Sequence, residues 1–399
     1  MVLSKKAKQI SPSLTLDITA KAKKMKAEGI DVIGFGAGEP DFNTPQNIQE
    51  AAIKAIKEGK TKYTAVSGVI ELKQAIIQKF KSDNNLTYIP SQIIVSTGAK
   101  QCLSNVFLTI LNPGDEVLIG VPYWVSYPEL VKLADGKPVY VQTEEINKFK
   151  LTIENLNKAV TSKSKAILLN SPNNPTGSVY SKEELIEIAD FAKTNNLFII
   201  SDEIYEKLVY GDNRHISIAS LSEDAYKRTI VINGVSKAYA MTGWRIGYAA
   251  GSTEIIACMS NIQSHTTSNP SSIAQYASVE AINGNQDDVQ KMVDQFKLRR
   301  DYMVERINSI NNLSCVNPEG AFYVMVNLCK VLNKSFHGKI IIDSLDFSEV
   351  LLNEEKVAVI PGIAFGTDTF IRLSYATSTE NIKNGIDRIE KFVNNILTW

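Results

Sequence analysis

The hydrophobic positions of this chain follow two alternating patterns. From about residue 50 onward, stretches in which apolar residues recur every three or four positions alternate with short, continuously apolar runs. The first pattern predicts amphipathic helices, and the second predicts buried strands. Helices are predicted over residues 48–57, 70–80, 101–111, 182–194 and 273–281, and strands over residues 92–96, 116–119, 166–169, 197–200, 230–232 and 245–249. This alternation favours an α/β fold, in which a mostly parallel sheet is sandwiched by helices.

The pattern changes after about residue 291, which indicates a second structural unit. A charged helix is predicted over residues 290–310, then short strands over residues 321–326, 357–360 and 370–374, then an amphipathic helix over residues 380–397. We predict a large domain formed by residues 47–290 and a smaller α+β domain formed by residues 291–399. Residues 1–46 precede the large sheet, and we predict that they form an N-terminal arm and part of the smaller domain.

The composition of the chain limits the kinds of partner that the protein can bind and the cellular compartments in which we expect it. The chain has 399 residues, 44% of them hydrophobic, and a formal net charge of zero, which argues against nucleic acid or an anionic membrane as a partner. No apolar run approaches a membrane-spanning length, and the first twenty residues lack the apolar segment of a secretory signal. The four cysteines form no C-x-x-C pair, so we expect a cytoplasmic protein. The three histidines are far apart in the sequence, and we expect no metal site.

Lys237 has the most informative surroundings in the chain. It follows a predicted strand and Ser236, and Arg245 comes eight residues later. A lysine that is desolvated beside another cation has a lowered pKa and becomes a competent amine nucleophile. A second predicted strand leads into Asp202, and Tyr205 lies three residues further on. A lysine nucleophile, a buried acid and an anion-binding Ser/Arg pair at neighbouring strand ends are the groups that pyridoxal phosphate requires.

Taken singly, these residues have plainer interpretations. An isolated lysine is usually a solvated surface charge. Asp202 at a strand end is either buried and paired or exposed at the tip, and Tyr205 alone is consistent with an ordinary core tyrosine. Arg372 interrupts an apolar strand, where an unpaired guanidinium is costly to bury. An internal salt bridge and a bound substrate carboxylate both explain it.

Two turns that follow predicted strands are candidate ligand sites, and a glycine-rich segment near the N-terminus invites comparison with a third kind of site. Residues 170–177 read Asn-Ser-Pro-Asn-Asn-Pro-Thr-Gly, a rigid turn that can present a side-chain amide to a ligand. Residues 96–101 join a strand to a helix, where backbone N–H groups bind phosphate, although a plain connecting turn is the commoner interpretation. Residues 34–41 are rich in glycine, but Glu39 stands where the dinucleotide-binding fingerprint needs glycine. This mismatch argues against a nicotinamide-dependent oxidoreductase.

Together these segments resemble the class I, fold type I pyridoxal-phosphate aminotransferases. The resemblance is strongest to the bacterial aspartate aminotransferase subgroup that includes prephenate aminotransferases, and it covers essentially the whole chain. The motifs that carry it are residues 37–42, 61–64, 122–128, 171–177, 201–205, 236–245 and 372–376. The resemblance implies the fold type I architecture of pyridoxal-phosphate-dependent transferases and a homodimer whose active sites are shared between subunits.

The resemblance also implies a role for each matched residue. Lys237 would form the Schiff base and carry protons, Asp202 would pair with the pyridine nitrogen, and Tyr205 would hydrogen-bond the phenolic oxygen. The full cofactor set would be Gly98, Ala99, Trp124, Asn174, Asp202, Tyr205, Ser236, Lys237, Arg245 and, from the second subunit, Tyr63. The substrate would be bound by Gly38, Trp124, Asn174, Arg372, Lys100 and Thr15, the last two at the distal carboxylate of a dicarboxylic substrate.

The reaction implied by the resemblance is a ping-pong transfer of the amino group from L-aspartate to 2-oxoglutarate, which gives oxaloacetate and L-glutamate. Prephenate, aromatic or alanine transamination on the same scaffold stays open, as do a lyase reaction and a catalytically silent binding protein. Two segments depart from the usual pattern of the subgroup. They are the turn at residues 98–100, where alanine replaces a glycine, and the loop at residues 65–68.

Overall fold

The computed structural model describes residues 2–396. The strands are β1 (Ile33–Gly34), β2 (Ile93–Ser96), β3 (Glu116–Val121), β4 (Lys137–Gln142), β5 (Ser164–Asn170), β6 (Phe198–Asp202), β7 (Thr229–Gly234), β8 (Gly247–Ala250), β9 (Ser314–Cys315), β10 (Tyr323–Asn327), β11 (Lys334–Phe336), β12 (Lys339–Ile341), β13 (Val357–Ala358), β14 (Ile360–Pro361) and β15 (Phe370–Ser374). The helices are α1 (Lys5–Gln9), α2 (Leu14–Ala27), α3 (Gln46–Lys57), α4 (Ile70–Asn84), α5 (Ala99–Ile110), α6 (Ser126–Leu133), α7 (Ile153–Ala159), α8 (Lys182–Thr194), α9 (Glu223–Arg228), α10 (Thr253–Thr266), α11 (Ser272–Asn283), α12 (Asp287–Ser309), α13 (Ser344–Glu355) and α14 (Thr379–Asn394).

The central sheet has seven strands in the order β2-β8-β7-β6-β5-β3-β4. Strand β8 runs antiparallel to both of its neighbours, and the remaining pairs are parallel. Every residue of β2, β7 and β8 is buried, which is why these strands read as continuous apolar runs rather than as alternating ones. The predicted mostly parallel sheet is confirmed.

Helices cover both faces of this sheet. Successive residues of a strand point to opposite faces. In β5, Ile167 packs in the apolar cluster that contains Ile188 of α8, whereas Leu168 packs in the cluster that contains Phe107 of α5. Burying one such side chain stabilises the fold by roughly 1.5–3 kcal/mol. The two clusters form the layers of the predicted sandwich.

The parallel order brings several strand ends to one edge of the sheet. Strand β5 ends at Asn170 and β6 at Asp202, and β7 ends three residues before Lys237. Strand β2 is two antiparallel pairings away from β7, so its carboxyl end, followed by α5, points to the same edge. Ligands of open α/β sheets bind beyond this edge.

The C-terminal part of the chain forms a separate four-stranded sheet in the order β14-β15-β10-β9. Strand β1 pairs in parallel with β13, with Ile33 opposite Val357. This pairing supports our proposal that residues 1–46 belong with residues 291–399 in a smaller domain. Helix α12 runs without a break across the boundary that we place at residue 290.

Several element predictions needed correction. The strand predicted over residues 245–249 begins at Gly247, because Arg245 adopts a left-handed backbone conformation with φ 58°. The strand predicted over residues 357–360 is split into β13 and β14. Strand β4 was not predicted, because it lies at the edge of the sheet and is largely accessible. The final helix ends at Asn394, and residue 397 of its prediction lies outside the described residues. Within residues 2–396, none of the helices has the length and apolar character needed to cross a membrane.

Candidate active site

Lys237 lies at the centre of the cavity beyond the strand ends. Its Nζ donates a hydrogen bond to the carbonyl oxygen of Gly38 at 2.5 Å. The same atom lies 5.9 Å from the ring centroids of both Tyr205 and Phe322. The pKa of Lys237 is lowered to about 8, mainly by burial; nearby carboxylates oppose this decrease, and the guanidinium groups of Arg245 and Arg372 add to it. The amine therefore releases its proton more readily than an ordinary lysine does, as a nucleophile and proton carrier needs to.

Asp202 ends β6 and is buried, with 3% of its surface exposed. The phenol of Tyr127 donates to its Oδ2 at 2.7 Å, and the backbone N–H of Ile204 donates to its Oδ1 at 3.3 Å. Burial raises the pKa of Asp202 to about 6, and the two donors oppose that rise by stabilising the carboxylate. Of the two interpretations of a strand-end aspartate, the buried and paired one is correct.

Arg372 of β15 is a buried cation, 3% exposed. Its Nη1 donates to Oδ1 of Asn174 at 3.0 Å, and its Nη2 donates to the carbonyl oxygen of Gly36 at 3.1 Å. The guanidinium carbon lies 4.3 Å from the ring centroid of Tyr323. Within residues 2–396 it pairs with no carboxylate, and its Nε has no hydrogen-bond partner. The salt-bridge explanation is therefore wrong for the described residues, and a buried guanidinium is left facing the cavity.

The turn between β2 and α5 leads into the cavity at Ala99. Gly98 precedes α5 with φ 84°, and a side chain at this position would collide with the guanidinium of Arg245. Arg245 is fixed by a hydrogen bond from its Nη1 to the carbonyl oxygen of Thr242 at 2.8 Å. Ala99 begins the 12-residue helix α5, and Ser236 is 5% exposed beside it in the cavity. A helix N-terminus, a hydroxyl and a guanidinium together form a site suited to a phosphate group.

Lys100 and Trp124 form one wall of the cavity. The Lys100 ammonium lies 4.9 Å from the ring centroid of Trp124. Burial lowers the pKa of Lys100, and the charge of Arg245 adds to the decrease. Thr15 of α2 also lines the cavity, and its hydroxyl is 2.9 Å from that of Ser13. This wall offers a cation and hydroxyl groups to an anionic ligand.

The cavity has a volume of about 620 Å³. It brings together most of the residues that the sequence assigned to the site: Thr15, Gly38, Ala99, Lys100, Trp124, Asn174, Asp202, Tyr205, Ser236, Lys237, Arg245 and Arg372. Gly98 lies just behind it, against Arg245. Tyr63 does not line the cavity of its own chain and is 92% exposed. The individual roles of these residues stay predictions.

Two tyrosines of the site were not assigned from the sequence. Tyr127 holds Asp202, and Tyr323 contacts both Arg372 and the hydroxyl of Tyr205, with 3.1 Å between the two phenol oxygens. Tyr127 falls within the motif at residues 122–128, but its contact with Asp202 spans 75 positions. Local spacing carries no signal for such a contact.

The residues of the cavity fit pyridoxal phosphate. The buried carboxylate of Asp202 suits a protonated pyridine nitrogen, since both charges are then compensated. Because Gly98 has no side chain, it fits beside Arg245 and leaves room for a phosphate at the start of α5. The amine of Lys237 lines the same cavity as these two groups. The donor set therefore matches the three functional groups of this cofactor.

Comparisons with known proteins agree with this geometry. The sequence profile of the family described as "Aminotransferase class I and II" matches residues 30–389. An aspartate aminotransferase of Bacillus sp. (strain YM-2) is 53% identical over 392 residues, covering 98% of this chain and 99% of the relative. An aspartate/prephenate aminotransferase of Nitrosomonas europaea is 47% identical over 392 residues, with the same coverage.

Solved structures agree as well. The crystal structure of an aspartate aminotransferase from Rhizobium meliloti has a TM-score of 0.96 at 44% identity and covers 100% of both chains. The aspartate aminotransferase from Thermus thermophilus with maleate has a TM-score of 0.92 at 41% identity, covering 98% of this chain and 100% of the other. The chain therefore belongs to the class I and II aminotransferases, a family of pyridoxal-phosphate-dependent transaminases.

Proposed function

We propose that the protein is an aspartate aminotransferase, which transfers the amino group of L-aspartate to 2-oxoglutarate and yields oxaloacetate and L-glutamate. The observation that carries this proposal is the presence of two separate cations, Arg372 and Lys100, in the cavity that also holds Lys237. Aspartate, glutamate and their keto acids each carry two carboxylates. A cavity with two cationic sites suits such substrates better than amino acids with one carboxylate.

Arg372 is proposed to bind the α-carboxylate. Its planar guanidinium is already held by Asn174 and the carbonyl of Gly36, so it does not reorganise when a carboxylate arrives. Gly38 lies beside it in the cavity and offers its backbone to the substrate. The aromatic ring of Tyr323 stacks on the guanidinium and limits its movement.

Lys100 and Thr15 are proposed to bind the distal carboxylate. Lys100 lies against Trp124, which excludes water from one side of the ammonium and strengthens its attraction for an anion. Thr15 approaches from the first turn of α2, a helix that borders the cavity along most of its length. The distal site therefore combines a cation from one part of the chain with a hydroxyl from another.

When bound, pyridoxal phosphate supplies an electron-withdrawing ring that stabilises negative charge on the Cα of the substrate. Asp202 holds the proton on the pyridine nitrogen, and Tyr127 holds Asp202 in place. Lys237 accepts the Cα proton at Nζ as a general base and gives it up again, as a general acid, in the following step. Its pKa of about 8 suits both steps near neutral pH. Tyr205 and Asn174 orient the phenolic oxygen of the cofactor.

We also propose a homodimer with shared active sites. Tyr63 is 92% exposed, which is unusual for so large an aromatic residue. A second cavity, of about 710 Å³, opens beside Arg245 and is also lined by Trp244, Ile273 and Ala274. A partner subunit that covers this opening with an aromatic side chain would complete the phosphate site and bury the exposed ring.

A cytoplasmic location is part of the proposal. All four cysteines of the chain are free, and Cys102 lies on the buried face of α5. Free thiols persist in reducing compartments. The location is tested by fractionating cells that express the protein and asking whether it accompanies a cytoplasmic marker enzyme.

Prephenate is the main alternative amino acceptor, because several similar proteins carry the name aspartate/prephenate aminotransferase. The deciding experiment is an absorbance spectrum of the purified protein loaded with pyridoxal phosphate, recorded before and after adding L-aspartate without a keto acid. Conversion of the visible band to a near-ultraviolet band supports the aspartate reaction. A band that converts only with alanine or an aromatic donor overturns the specificity, and the absence of any band overturns the proposal. Adding prephenate to the converted enzyme tests the alternative, because return of the visible band identifies it as an acceptor.

A further inference from the structure

A buried carboxylate that the proposed reaction does not use lies directly behind Asp202. Glu203 is the next residue in the chain and is fully buried, with 0% exposure. Neighbouring residues of an extended chain point to opposite faces of the sheet. Asp202 accordingly contacts Tyr127 on one face, whereas Glu203 contacts Ser201 on the other. Two carboxylates on adjacent residues thus occupy the two faces at the end of one strand.

Glu203 is held by three donors. The hydroxyls of Ser201 and Ser217 both donate to its Oε1, at 2.8 and 2.7 Å. The Nε2 of His215 lies 3.0 Å from its Oε2, and the His215 side chain is only 5% exposed. The two serines thus bind one oxygen of the carboxyl group, and His215 binds the other. Three donors from two separate segments of the chain hold this carboxylate in a single orientation.

Other charged and titratable groups surround this pair. Glu206, which comes within 4.8 Å of His215 and Glu203, pairs with Lys79 of α4. Burial would raise the pKa of Glu206, but the charge of Lys79 and several smaller interactions outweigh burial and lower the pKa to about 2. Further groups that face the cluster are Tyr88, Tyr248, Lys207 and, across the strand, Asp202. Lys79 already provides the cation for Glu206, so Glu203 depends on His215 and the two hydroxyls.

We propose that Glu203 and His215 form a positioning pair that acts on Asp202 from the opposite face of the sheet. The pair fixes the end of β6. The negative charge of Glu203 favours a proton on the pyridine nitrogen that Asp202 would bind. The charge of Glu203 acts on Asp202 in the same direction, because it contributes to raising the pKa of Asp202. This inference rests on the proposed binding of pyridoxal phosphate, whose pyridine nitrogen Asp202 would hold.

The test compares Glu203→Gln with Glu116→Gln in the protein loaded with pyridoxal phosphate. Glu116 is an equally buried carboxylate, 4% exposed, but it begins β3 and therefore lies at the far edge of the sheet. The readout is the pH at the midpoint of the change in the visible absorbance of the cofactor. We expect Glu203→Gln to lower this midpoint by about half a pH unit, because removing a nearby negative charge makes proton release easier. Glu116→Gln should leave it unchanged.

Two substitutions of His215 keep the inference testable if Glu203→Gln does not fold. His215→Gln retains an N–H donor toward Glu203, and we expect its midpoint to match that of the unmodified protein. His215→Leu removes the donor, so the carboxylate of Glu203 is no longer held behind Asp202, and we expect the midpoint to fall as in Glu203→Gln. The inference would be overturned if His215→Leu and His215→Gln had the same midpoint. It would also be overturned if Glu203→Gln and Glu116→Gln had the same midpoint. Absence of a visible band in the unmodified protein would instead overturn the proposed function.

Discussion

The phenol of Tyr127 donates a 2.7 Å hydrogen bond to Oδ2 of Asp202, and both side chains are almost completely buried. This bond stabilises the carboxylate form of Asp202 and partly offsets the effect of burial on its pKa. Since Asp202 ends β6 while Tyr127 lies in α6, the contact also fixes the acid relative to the helix that follows β3. Tyr127 is therefore a positioning residue for the proposed cofactor site.

Replacing Tyr127 by phenylalanine tests this relationship. Loss of a hydrogen bond to a charged group costs about 1.5–3 kcal/mol, which should raise the pKa of Asp202 further above its present value of about 6. We expect a roughly tenfold lower kcat/KM at pH 7 and an acidic limb of the pH profile that moves to higher pH. Tyr180→Phe is the control, since Tyr180 is equally buried but donates no bond to the site. An unchanged acidic limb in Tyr127→Phe would show that the bond is only structural.

Replacing Arg372 by lysine should impair every amino donor. A lysine cannot contact Asn174, the carbonyl of Gly36 and a carboxylate with one planar group, so KM should rise by about tenfold or more. The measurement is a steady-state comparison with aspartate, glutamate and alanine. Arg306→Lys is the control, because Arg306 pairs with surface carboxylates away from the cavity. A loss confined to dicarboxylic donors would contradict our assignment of Arg372 to the α-carboxylate.

Replacing Lys100 by serine should separate dicarboxylic from monocarboxylic donors. We expect kcat/KM for aspartate and glutamate to fall by about tenfold or more, because the distal carboxylate loses its cation. The value for alanine should change little, since alanine has no group at that site. The rates of the half-reaction, followed by absorbance with each donor, measure the ratio directly. An equal loss for all three donors would instead connect Lys100 with the cofactor.

Mixing two impaired variants should restore activity if Tyr63 completes the site of the partner subunit. Lys237→Ala removes the essential amine, and Tyr63→Ala removes the exposed ring. In a mixed dimer, one site contains Lys237 from one subunit and Tyr63 from the other. After random reassociation, about one quarter of all sites should therefore be intact. Activity is assayed at limiting pyridoxal phosphate, where loss of a phosphate contact matters most. No recovery in dimers shown by chromatography to be mixed would count against a shared site.

Lys237→Met should stabilise the cofactor-free protein near neutral pH. The pKa of Lys237 is about 8 in the fold against 10.5 for an ordinary lysine, so the folded state binds its proton less tightly than the unfolded state. The destabilising effect of the charge is fully present below pH 8 and is relieved as pH rises from about 8 to 10.5. We expect a higher Tm for Lys237→Met at pH 7 and a difference that shrinks by pH 9.5. Lys182→Met, at the exposed start of α8, is the control, and the same pH dependence in that variant would contradict the assignment of the effect to Lys237.

The strand-end residues were predictable because of how parallel sheets are built. Lys237, Asp202 and the amide turn at residues 170–177 each follow an apolar run, and the carboxyl ends of parallel strands meet at one edge. The structure brings these segments into one cavity. Arg372 was recognisable for another reason, since a charge within an apolar strand needs a partner.

Contacts between distant segments were not predictable from local patterns. The bonds of Asp202 with Tyr127 and of Tyr205 with Tyr323 span 75 and 118 positions. The three histidines gave no sign that His215 would lie beside Glu203 and Glu206, because spacing reports only neighbours in the chain. The antiparallel direction of β8 was missed for the same reason, since an apolar run shows that a strand is buried but not which way it runs.

The sequence by itself determined the alternation of helices and strands, the family, and most of the residues that line the cavity, because these depend on hydrophobic period and on motifs within short segments. Only the tertiary structure decided that Arg372 has no carboxylate partner within the described residues, that Tyr127 holds Asp202, and that Glu203 is buried behind the same strand. Those features depend on burial and on distances between segments far apart in the chain, and both arise only when the packed layers form.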